Sequence, residues 1–429
     1  MAVIGGIIGS GVFLGPEVVA ARVRTAGLTL AAWVVGGGVA LAGAFCFGEL
    51  GARRPRAGGG YVYLRDAFGP LPAFLYGWAL LLVIATGATA AVAVTFASYA
   101  VSLVGLSPQA TLPLAVGAIV VVCAINCIGV KPAALTQNAF TLLKLAAVTA
   151  LIVAGLAAGS RSALPPLRLI PPAGPVGVVL AVGAALVPIL FAYGGWQQTN
   201  FIAEELIVPE RDLPRALVSG VMGVVVVYLL ANLAYLRVLG AAGLAASTAP
   251  AADVMERVLG PLGRRFISAG IALSTFGFLN LVILVTPRVF QAMAADGVFL
   301  PALARLHPKY RTPTRAIVFM GAWSIALAVS GTYAELLDYV VFGDWIFFGL
   351  TVASLFLYRA RATGSGSPEP GFPVPGYPWT PALFVLAAAY VVASSIVANP
   401  RNAMIGTCLL ALGVPAYGLA RPRRRGTPA

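Results

Sequence analysis

The stretch Gly5-Gly-Ile-Ile-Gly-Ser-Gly-Val-Phe13 interrupts the first long apolar run of this chain with three small residues, 9–11. Glycine tolerates nearly any combination of φ and ψ, so the run can leave helical geometry in its middle. In hydrocarbon, each backbone N–H or C=O group left unpaired by such a break costs several kcal/mol, unless the break faces a polar ligand or a water-filled cavity. We therefore predict that residues 9–11 form half of a substrate site.

The composition around this stretch predicts a chain that lies mostly in lipid. Of its 429 residues, 60% are hydrophobic and only 10% are charged, and apolar segments recur to the end of the chain. A soluble domain of this length cannot bury so much apolar surface. The net charge of +14 does not indicate nucleic-acid binding, because the arginines cluster in short loops, as the positive-inside rule describes.

Residue types that bind metals or carry redox chemistry are scarce. The four cysteines, Cys46, Cys123, Cys127 and Cys408, fall in apolar spans and are interpreted as small buried hydrophobes. The single histidine, His307, lies in a polar loop. We therefore expect no metal centre and no cofactor, and the scattered acids argue against a membrane enzyme, which needs clustered acid–base or metal-ligating groups.

A spanning helix needs about 20 apolar residues, and the chain offers about twelve such segments. The predicted spans are 2–20, 28–50, 70–104, 112–130, 134–158, 177–205, 215–237, 264–294, 314–331, 334–358, 379–397 and 402–420. An even number places both termini on one side of the membrane. With the N-terminus inside, eighteen basic residues lie in inner segments against nine outside. This predicts an inner (plasma) membrane protein with cytoplasmic termini and a basic tail, 421–429.

A second interruption, Phe191-Ala-Tyr-Gly-Gly-Trp-Gln197, lies deep in the sixth predicted span. Glycines in membrane helices mostly allow close helix packing. However, glycine interruptions at matching positions of two halves favour an inverted-repeat transporter whose site lies near the bilayer midplane. Met1 lies within the first apolar run, so the first half-helix is either unusually short or begins upstream of this sequence.

The two interruptions together predict a site for a zwitterion. The outer half of the first span would begin with free N–H groups of Ser10, Gly11 and Val12, at the positive end of the helix dipole, which suits a carboxylate. The carbonyl groups that would suit an ammonium are those of Ile7, Ile8, Phe191, Ala192 and Gly194, with Gly9, Tyr193 and Gly195 completing the two breaks. One site offering both fits the head group of an α-amino acid.

The chain resembles the amino acid–polyamine–organocation superfamily, and within it the L-type amino-acid transporters and their bacterial relatives. The resemblance rests on the two interrupted stretches, Asn200-Phe-Ile-Ala-Glu-Glu205, Asp212-Leu-Pro-Arg-Ala216, Ser274-Thr-Phe-Gly-Phe-Leu-Asn280 and the loop from His307-Pro to Thr312-Pro. It implies an all-α integral membrane protein with a LeuT-type 5+5 inverted repeat and two further helices. The expected transmembrane domain is 1–420, divided into repeats 1–158 and 177–358 and the extra helices in 379–420.

The resemblance also implies a function, which is sodium-independent transport of L-amino acids by alternating access. Exchange and proton-coupled transport of amino acids or polyamines stay open, as does a sensor built on a transporter fold. No pore motif indicates a channel, and no P-loop pattern indicates ATP-driven transport. The loop 103–110 lacks the cysteine that heteromeric light chains carry, so we expect no disulfide-linked heavy chain. The oligomeric state stays open.

Several single residues acquire expected roles from this resemblance. Lys144, a mid-span lysine, stands where sodium-coupled relatives hold a cation and is expected to bridge the first and eighth spans. The alternative is a lysine that snorkels to the membrane interface. Phe191 corresponds to an aromatic gate above the substrate, and the neutral Gln197 favours neutral substrates. Asn280 is assigned to the substrate site.

Acidic residues within or beside spans raise separate expectations. Asp344 and Trp345, on the tenth predicted span, lie near the expected side-chain pocket. An acid there is equally consistent with binding a cationic or hydroxylated side chain or a proton, and with bonding to a neighbouring helix. Glu204 and Glu205 are predicted to form interfacial ion pairs near Arg211 and Arg215 that shape an inner gate.

Overall fold

The protein is helical throughout the residues that the computed structural model describes, which are 1–158, 174–331, 333–365, 371–398 and 400–420. Its α-helices are α1 (Ala2–Ile7), α2 (Gly11–Val23), α3 (Ala26–Arg53), α4 (Gly60–Phe68), α5 (Pro70–Ala79), α6 (Ala85–Val104), α7 (Thr111–Ile128), α8 (Val130–Ala158), α9 (Gly174–Ala192), α10 (Pro209–Ala246), α11 (Pro250–Val285), α12 (Pro287–Ala295), α13 (Thr314–Ser330), α14 (Tyr333–Ser365), α15 (Trp379–Ala398) and α16 (Pro400–Ala420). A π-helical turn, Leu80–Ile84, joins α5 to α6, and 3₁₀ helices cover Pro108–Ala110, Trp196–Glu205 and Pro301–Ala304. The all-helical prediction is confirmed for this part of the chain.

Eight helical segments in the described residues are long and apolar enough to cross a membrane. They are Ala26–Arg53, Pro70–Val104, Pro108–Ile128, Lys131–Ala158, Pro209–Ala246, Pro250–Ala295, Trp379–Val397 and Pro400–Ala420. Each overlaps one predicted span. With the family described below, these segments make the chain a multi-pass membrane protein.

The other four predicted spans correspond to shorter or divided helices. The first is split into α1 and α2, and the sixth into α9 and the 3₁₀ helix Trp196–Glu205. The ninth is the shorter apolar helix α13, and the tenth lies within α14. The predicted basic tail 421–429 lies outside the described residues.

The first helix ends where the sequence changes from apolar to small residues. The N–H of Ile8 still donates to Ile4 O at 2.9 Å, but Ile8 itself is extended, with φ −73° and ψ 92°. The second helix starts again at Ser10, whose carbonyl accepts the N–H groups of Phe13 at 3.0 Å and Leu14 at 3.1 Å. The chain therefore leaves helical geometry for about three residues.

The two divided spans lie beside each other in the middle of the molecule. Helix α1 contacts α8, α10, α11 and the 3₁₀ helix Trp196–Glu205, while α2 contacts α3, α9, α10 and α11. On another side, α14 packs against α6 and the π-helical turn. The hydroxyl of Thr86, which follows that turn, donates to Leu81 O within it at 2.6 Å. This hydrogen bond gives a partner to a carbonyl that the wider turn moves out of regular helical pairing. Long continuous helices thus enclose the interrupted ones.

A buried carboxylate joins α3 to α14 and to the segment before α15. Glu49 is 0% exposed and accepts hydrogen bonds from Arg53 Nε and Arg359 Nε, each at 2.9 Å, from Arg359 Nη2 at 2.6 Å and from the Val374 N–H at 2.7 Å. The Arg359 guanidinium also lies 4.0 Å from the centre of the Tyr377 ring. A buried charge is stable only when it is fully paired, as it is here.

Removing this carboxylate is expected to destabilise the fold. In Glu49→Ala, both guanidinium groups and the Val374 N–H lose their shared acceptor, and breaking such a buried pair costs about 3 kcal/mol of the free energy of unfolding. Thermal unfolding of the purified protein in detergent, followed by intrinsic fluorescence, measures the loss as a lower melting temperature. Glu210→Ala, at an exposed glutamate, is the control and should melt like the wild type. Equal melting temperatures for Glu49→Ala and the wild type would contradict the prediction.

Candidate functional site

A cavity lies where the two interrupted spans meet. Its walls come from the α1–α2 break, the α9–3₁₀ break, the α5–α6 segment, α11 and α14. The sequence-predicted residues that line it are Ile7, Gly9, Ser10, Gly11, Phe191, Ala192, Gly194, Gly195, Gln197, Asp344 and Trp345. Two interruptions separated by about 180 residues of sequence therefore face one space.

Three other predicted residues lie near the breaks but do not line the cavity. Ile8 and Val12 are both 0% exposed and contribute through their backbones. Tyr193 packs edge-on against Trp33, with ring centres 5.5 Å apart, and its hydroxyl donates to Trp33 O at 3.3 Å. These residues support the two breaks without lining the cavity.

Asn280 lies in a different polar cluster, so its assignment to the substrate site is corrected. Its Nδ2 donates to Ala133 O at 3.3 Å and to Gln137 Oε1 at 3.1 Å, and its Oδ1 accepts from Asn126 Nδ2 at 3.1 Å. A buried amide needs such partners, and here α7, α8 and α11 supply them. Asn280 therefore joins helices rather than lining the cavity.

The start of α2 offers unpaired N–H groups to the cavity. Among the described residues, the N–H groups of Ser10, Gly11 and Val12 reach no hydrogen-bond acceptor of the protein. They belong to the first turn of a helix, where the dipole is positive. This end of the break is therefore suited to an anionic group such as a carboxylate.

The carbonyl groups of the same break accept more hydrogen bonds from the protein than the sequence predicted. Ile8 O accepts both Lys144 Nζ at 2.6 Å and Ser274 Oγ at 3.2 Å, which uses its two lone pairs. Ile7 O accepts only the Tyr228 hydroxyl, at 2.9 Å, and the same hydroxyl lies 3.2 Å from Ala192 O. The prediction that Ile8 O is free is thus wrong, whereas Ile7 O and Ala192 O keep capacity for an ammonium.

Lys144 is fully buried and bonds to the first interrupted helix. Its ammonium donates to Gly5 O at 2.9 Å as well as to Ile8 O, at the C-terminal end of α1. A cation at that end is favoured by the helix dipole and by the carbonyls that lack intrahelical partners. The alternative of a snorkelling side chain is excluded by this burial. The side chain also packs beside Gly277 of α11, while its hydrogen-bonded link to that helix is indirect, through Ser274, which shares the Ile8 carbonyl.

Gln197 stabilises the second break as well as lining the cavity. Its Oε1 accepts the N–H of Gly195 at 2.9 Å, and Gly195 has a φ of +104°. This left-handed geometry favours glycine and turns the chain out of α9. The Gln197 side chain therefore already has a structural partner on its acceptor side.

Sequence reasoning missed two helical faces of the cavity. On the α5–α6 segment these are Tyr76, Leu80, Ile84 and Ala88, and on α11 they are Phe278, Val282 and Thr286. Within each group the residues are four apart, which places them on one helical face. That spacing was available in the sequence, but apolar residues four apart also describe ordinary helix packing.

The cavity is exposed on one side and closed on the other. Phe191 is 41% exposed, whereas Phe201, Phe348 and Tyr76 are at most 5% exposed. Beyond the closed side, the N–H of Gly58 donates to Phe201 O at 3.2 Å. Among the aromatic residues of the cavity wall, Phe191 is therefore the most exposed, and the wall is buried at Phe201.

Ion pairs beyond the closed side differ from those predicted. Glu205 pairs with Arg288 of α12, while Arg211 pairs with its neighbour Asp212 at 2.8 Å. Glu204 is exposed. Glu205 therefore forms an ion pair as predicted, but with Arg288 rather than with Arg211 or Arg215, because the 3₁₀ helix turns Glu205 towards α12.

A second acidic residue, Asp296, connects two helices at the same end of the molecule. Asp296, directly after α12, accepts the Tyr61 hydroxyl at 2.8 Å and pairs with Arg65 of α4. Burial, together with this hydrogen bond to Asp296, raises the pKa of Tyr61 further above its ordinary value. Helix α4 is thereby bound to α12 beneath the cavity.

In the described residues, no group of three His, Cys, Asp or Glu side chains is arranged to hold a metal ion.

Comparisons with known proteins agree on one family. A family model described as amino acid permease matches residues 1–414. The chain is 33% identical to the human large neutral amino acids transporter small subunit 2, over 97% of this chain and 78% of that protein. It is 31% identical to the serine/threonine exchanger SteT of Bacillus subtilis (strain 168), over 97% of this chain and 93% of that protein, and 32% identical to the human cystine/glutamate transporter, over 97% and 83%.

The contact between the two breaks gives a test of the site's architecture. A Cβ added to Gly195 would lie 2.2 Å from Gly6 O, on backbone whose positive φ disfavours any side chain. Gly195→Ala should therefore lower the melting temperature and the yield of folded protein, at a cost of about 2 kcal/mol or more. Gly117→Ala, where the added methyl meets open space, is the matched control. Wild-type stability of Gly195→Ala would show that the breaks do not touch.

Proposed function

This chain belongs to the amino acid permease family, and from that premise we propose that it is a sodium-independent secondary transporter of L-amino acids. The observation that carries the proposal is the cavity between two helix breaks, which offers unpaired N–H groups at the start of α2 and backbone carbonyls opposite. The relatives are named as transporters or exchangers of amino acids, not as enzymes.

The backbone of the two breaks is proposed to bind the head group of the substrate. The N–H groups of Ser10 and Gly11 face the cavity and would bind the carboxylate. The carbonyls of Ile7 and Ala192 retain acceptor capacity for the ammonium. Such contacts recognise what all α-amino acids share, so the side-chain preference depends on the rest of the cavity.

The proposed architecture is a LeuT-type fold of twelve spans. Residues 1–158 and 177–358 would form the two inverted repeats, and 379–420 two extra helices. The matching breaks of the first and sixth spans support this division. The excess of basic residues in alternate loops supports cytoplasmic termini and an inner-membrane location. The loop Gly105–Ser107 contains no cysteine, which supports transport without a disulfide-linked heavy chain.

Alternating access would require the closed side to open. Phe191 is proposed as the outer gate, because it is the exposed aromatic residue of the cavity. Glu205 with Arg288, and Asp296 with Arg65, are proposed as inner contacts that break when the cavity opens to the cytoplasm. Lys144 would replace a sodium ion, since its ammonium already occupies the carbonyls at the end of α1.

Proton-coupled symport is a second candidate mechanism, and one observation favours considering it. Asp344 is a carboxylic acid facing the cavity within a spanning helix, and such residues relay protons in many transporters. Exchange and symport differ in what drives uptake, so one assay separates them.

Reconstituted protein should take up radiolabelled amino acids. We expect internal unlabelled amino acid to stimulate uptake, and replacement of sodium by potassium to leave it unchanged, because Lys144 stands where a coupling cation would bind. Protein-free liposomes are the control. Uptake into empty vesicles that follows only an imposed pH gradient would instead support symport, and strict dependence on sodium would contradict the proposal.

Lys144→Ala should reduce uptake at least tenfold, with normal expression. Without the ammonium, Gly5 O loses its side-chain donor and Ile8 O keeps only Ser274, so the break is no longer held in its binding geometry. Lys131→Ala, at an exposed lysine of the same helix, is the control. Uptake is normalised to folded protein determined by size-exclusion chromatography. Unchanged uptake by Lys144→Ala would refute this role.

A further inference from the structure

Asp344 is the single charged side chain among the described residues that line the cavity. It comes from α14, not from either interrupted span, and α14 packs against the π-helical turn and α6. The other walls are apolar side chains, aromatic rings, backbone and neutral polar groups. The cavity therefore contains one ionisable side chain, and that side chain is an acid.

This carboxylate has no partner. Within the described residues, no hydrogen bond or ion pair reaches Asp344. By contrast, basic partners pair with four other acidic residues, Glu49, Asp66, Asp296 and Glu205. Lys144, the fully buried cation of α8, is committed to the carbonyls of α1. An unpaired carboxylate in a largely apolar cavity is unfavourable until something neutralises it.

The surroundings of Asp344 are suited to a cation. Trp345 and Phe348 line the cavity beside it, and their rings lie 5.7 Å apart at a steep angle. Trp345 also stacks on Phe384 at 5.7 Å, which fixes this part of α14. Tyr76 contributes a third aromatic residue from α5. Aromatic faces next to a carboxylate favour ammonium and guanidinium groups through cation–π attraction together with ion pairing.

From these observations we propose that Asp344 makes this a transporter for amino acids with a cationic side chain, whose ammonium or guanidinium pairs with the Asp344 carboxylate. The proposal rests on the proposed function, because the head group must be bound by the two breaks for the side chain to reach α14. The zwitterionic head group carries no net charge, so in a dibasic amino acid it is the side chain that supplies the positive charge to pair with Asp344.

The neutral Gln197 does not oppose this assignment. The sequence alone suggested that its neutrality indicates neutral substrates, but its Oε1 already accepts the Gly195 N–H. Its role in the break explains an amide at this position whatever the substrate. The side-chain preference is therefore set by α14 rather than by the second break.

The first test uses the wild type and two substrates of equal length. In proteoliposomes loaded with unlabelled amino acids, L-lysine and L-norleucine differ only in the terminal ammonium. We expect kcat/KM for lysine to exceed that for norleucine at least tenfold, and Asp344→Asn to reduce this ratio at least tenfold. Asp344→Glu should retain a preference for lysine. Glu210→Gln, which neutralises an exposed glutamate, is the matched control and should keep the wild-type ratio.

The outcomes distinguish the possible failures. A wild-type protein that prefers norleucine, or a ratio unchanged in folded Asp344→Asn, would overturn the cationic assignment while leaving amino-acid transport intact. Norleucine uptake that follows a pH gradient in the wild type but not in Asp344→Asn would also overturn it, and would identify Asp344 as a proton site. If folded wild type takes up no amino acid at all, the proposed function itself is wrong. The comparison of lysine with norleucine needs no variant, so a wild type that does not prefer lysine overturns the proposal even if Asp344→Asn fails to fold.

Discussion

The hydrogen bonds that the Lys144 ammonium donates to Gly5 O and Ile8 O are the interaction on which the rest of this structure depends. A broken helix in lipid exposes carbonyls that water cannot reach, so the protein must pair them itself. Ser274 and Tyr228 complete this pairing from α11 and α10. The carbonyl side of the first break is thus largely paired, and the N–H side is left open for a ligand.

The position of the breaks was predictable from sequence, but their hydrogen-bond partners were not. Glycine and serine within an apolar run mark a point where a helix can end, and this is a local property. The donors to Ile7 O and Ile8 O come from residues more than 130 positions away in the chain. Asn280 shows the same limit, since its position on a spanning helix was correct while the cluster it joins depends on how α7, α8 and α11 pack.

The two interpretations of the glycines, close packing and helix interruption, both hold and reinforce each other. A Cβ on Gly11 would lie 2.8 Å from Ala192 Cα, so the spans touch backbone to backbone beside their breaks. A Cβ on Gly9 would come no closer than 3.7 Å to any other residue, because this glycine faces the cavity. Close approach by some glycines brings the free backbone groups of both breaks within reach of one small ligand, while the others leave room for it.

The charges of the spanning region are distributed unevenly around this ligand position. Lys144 is placed against the negative end of α1, so its charge is compensated by backbone dipoles. Asp344 has no such compensation from a helix end or a basic side chain in the described residues. The head-group contacts proposed above use only backbone, so they leave Asp344 without a partner among the described residues. In the proposed function, selection among amino acids with the same head group comes from the side of the cavity formed by α14, where a cationic side chain can pair with Asp344.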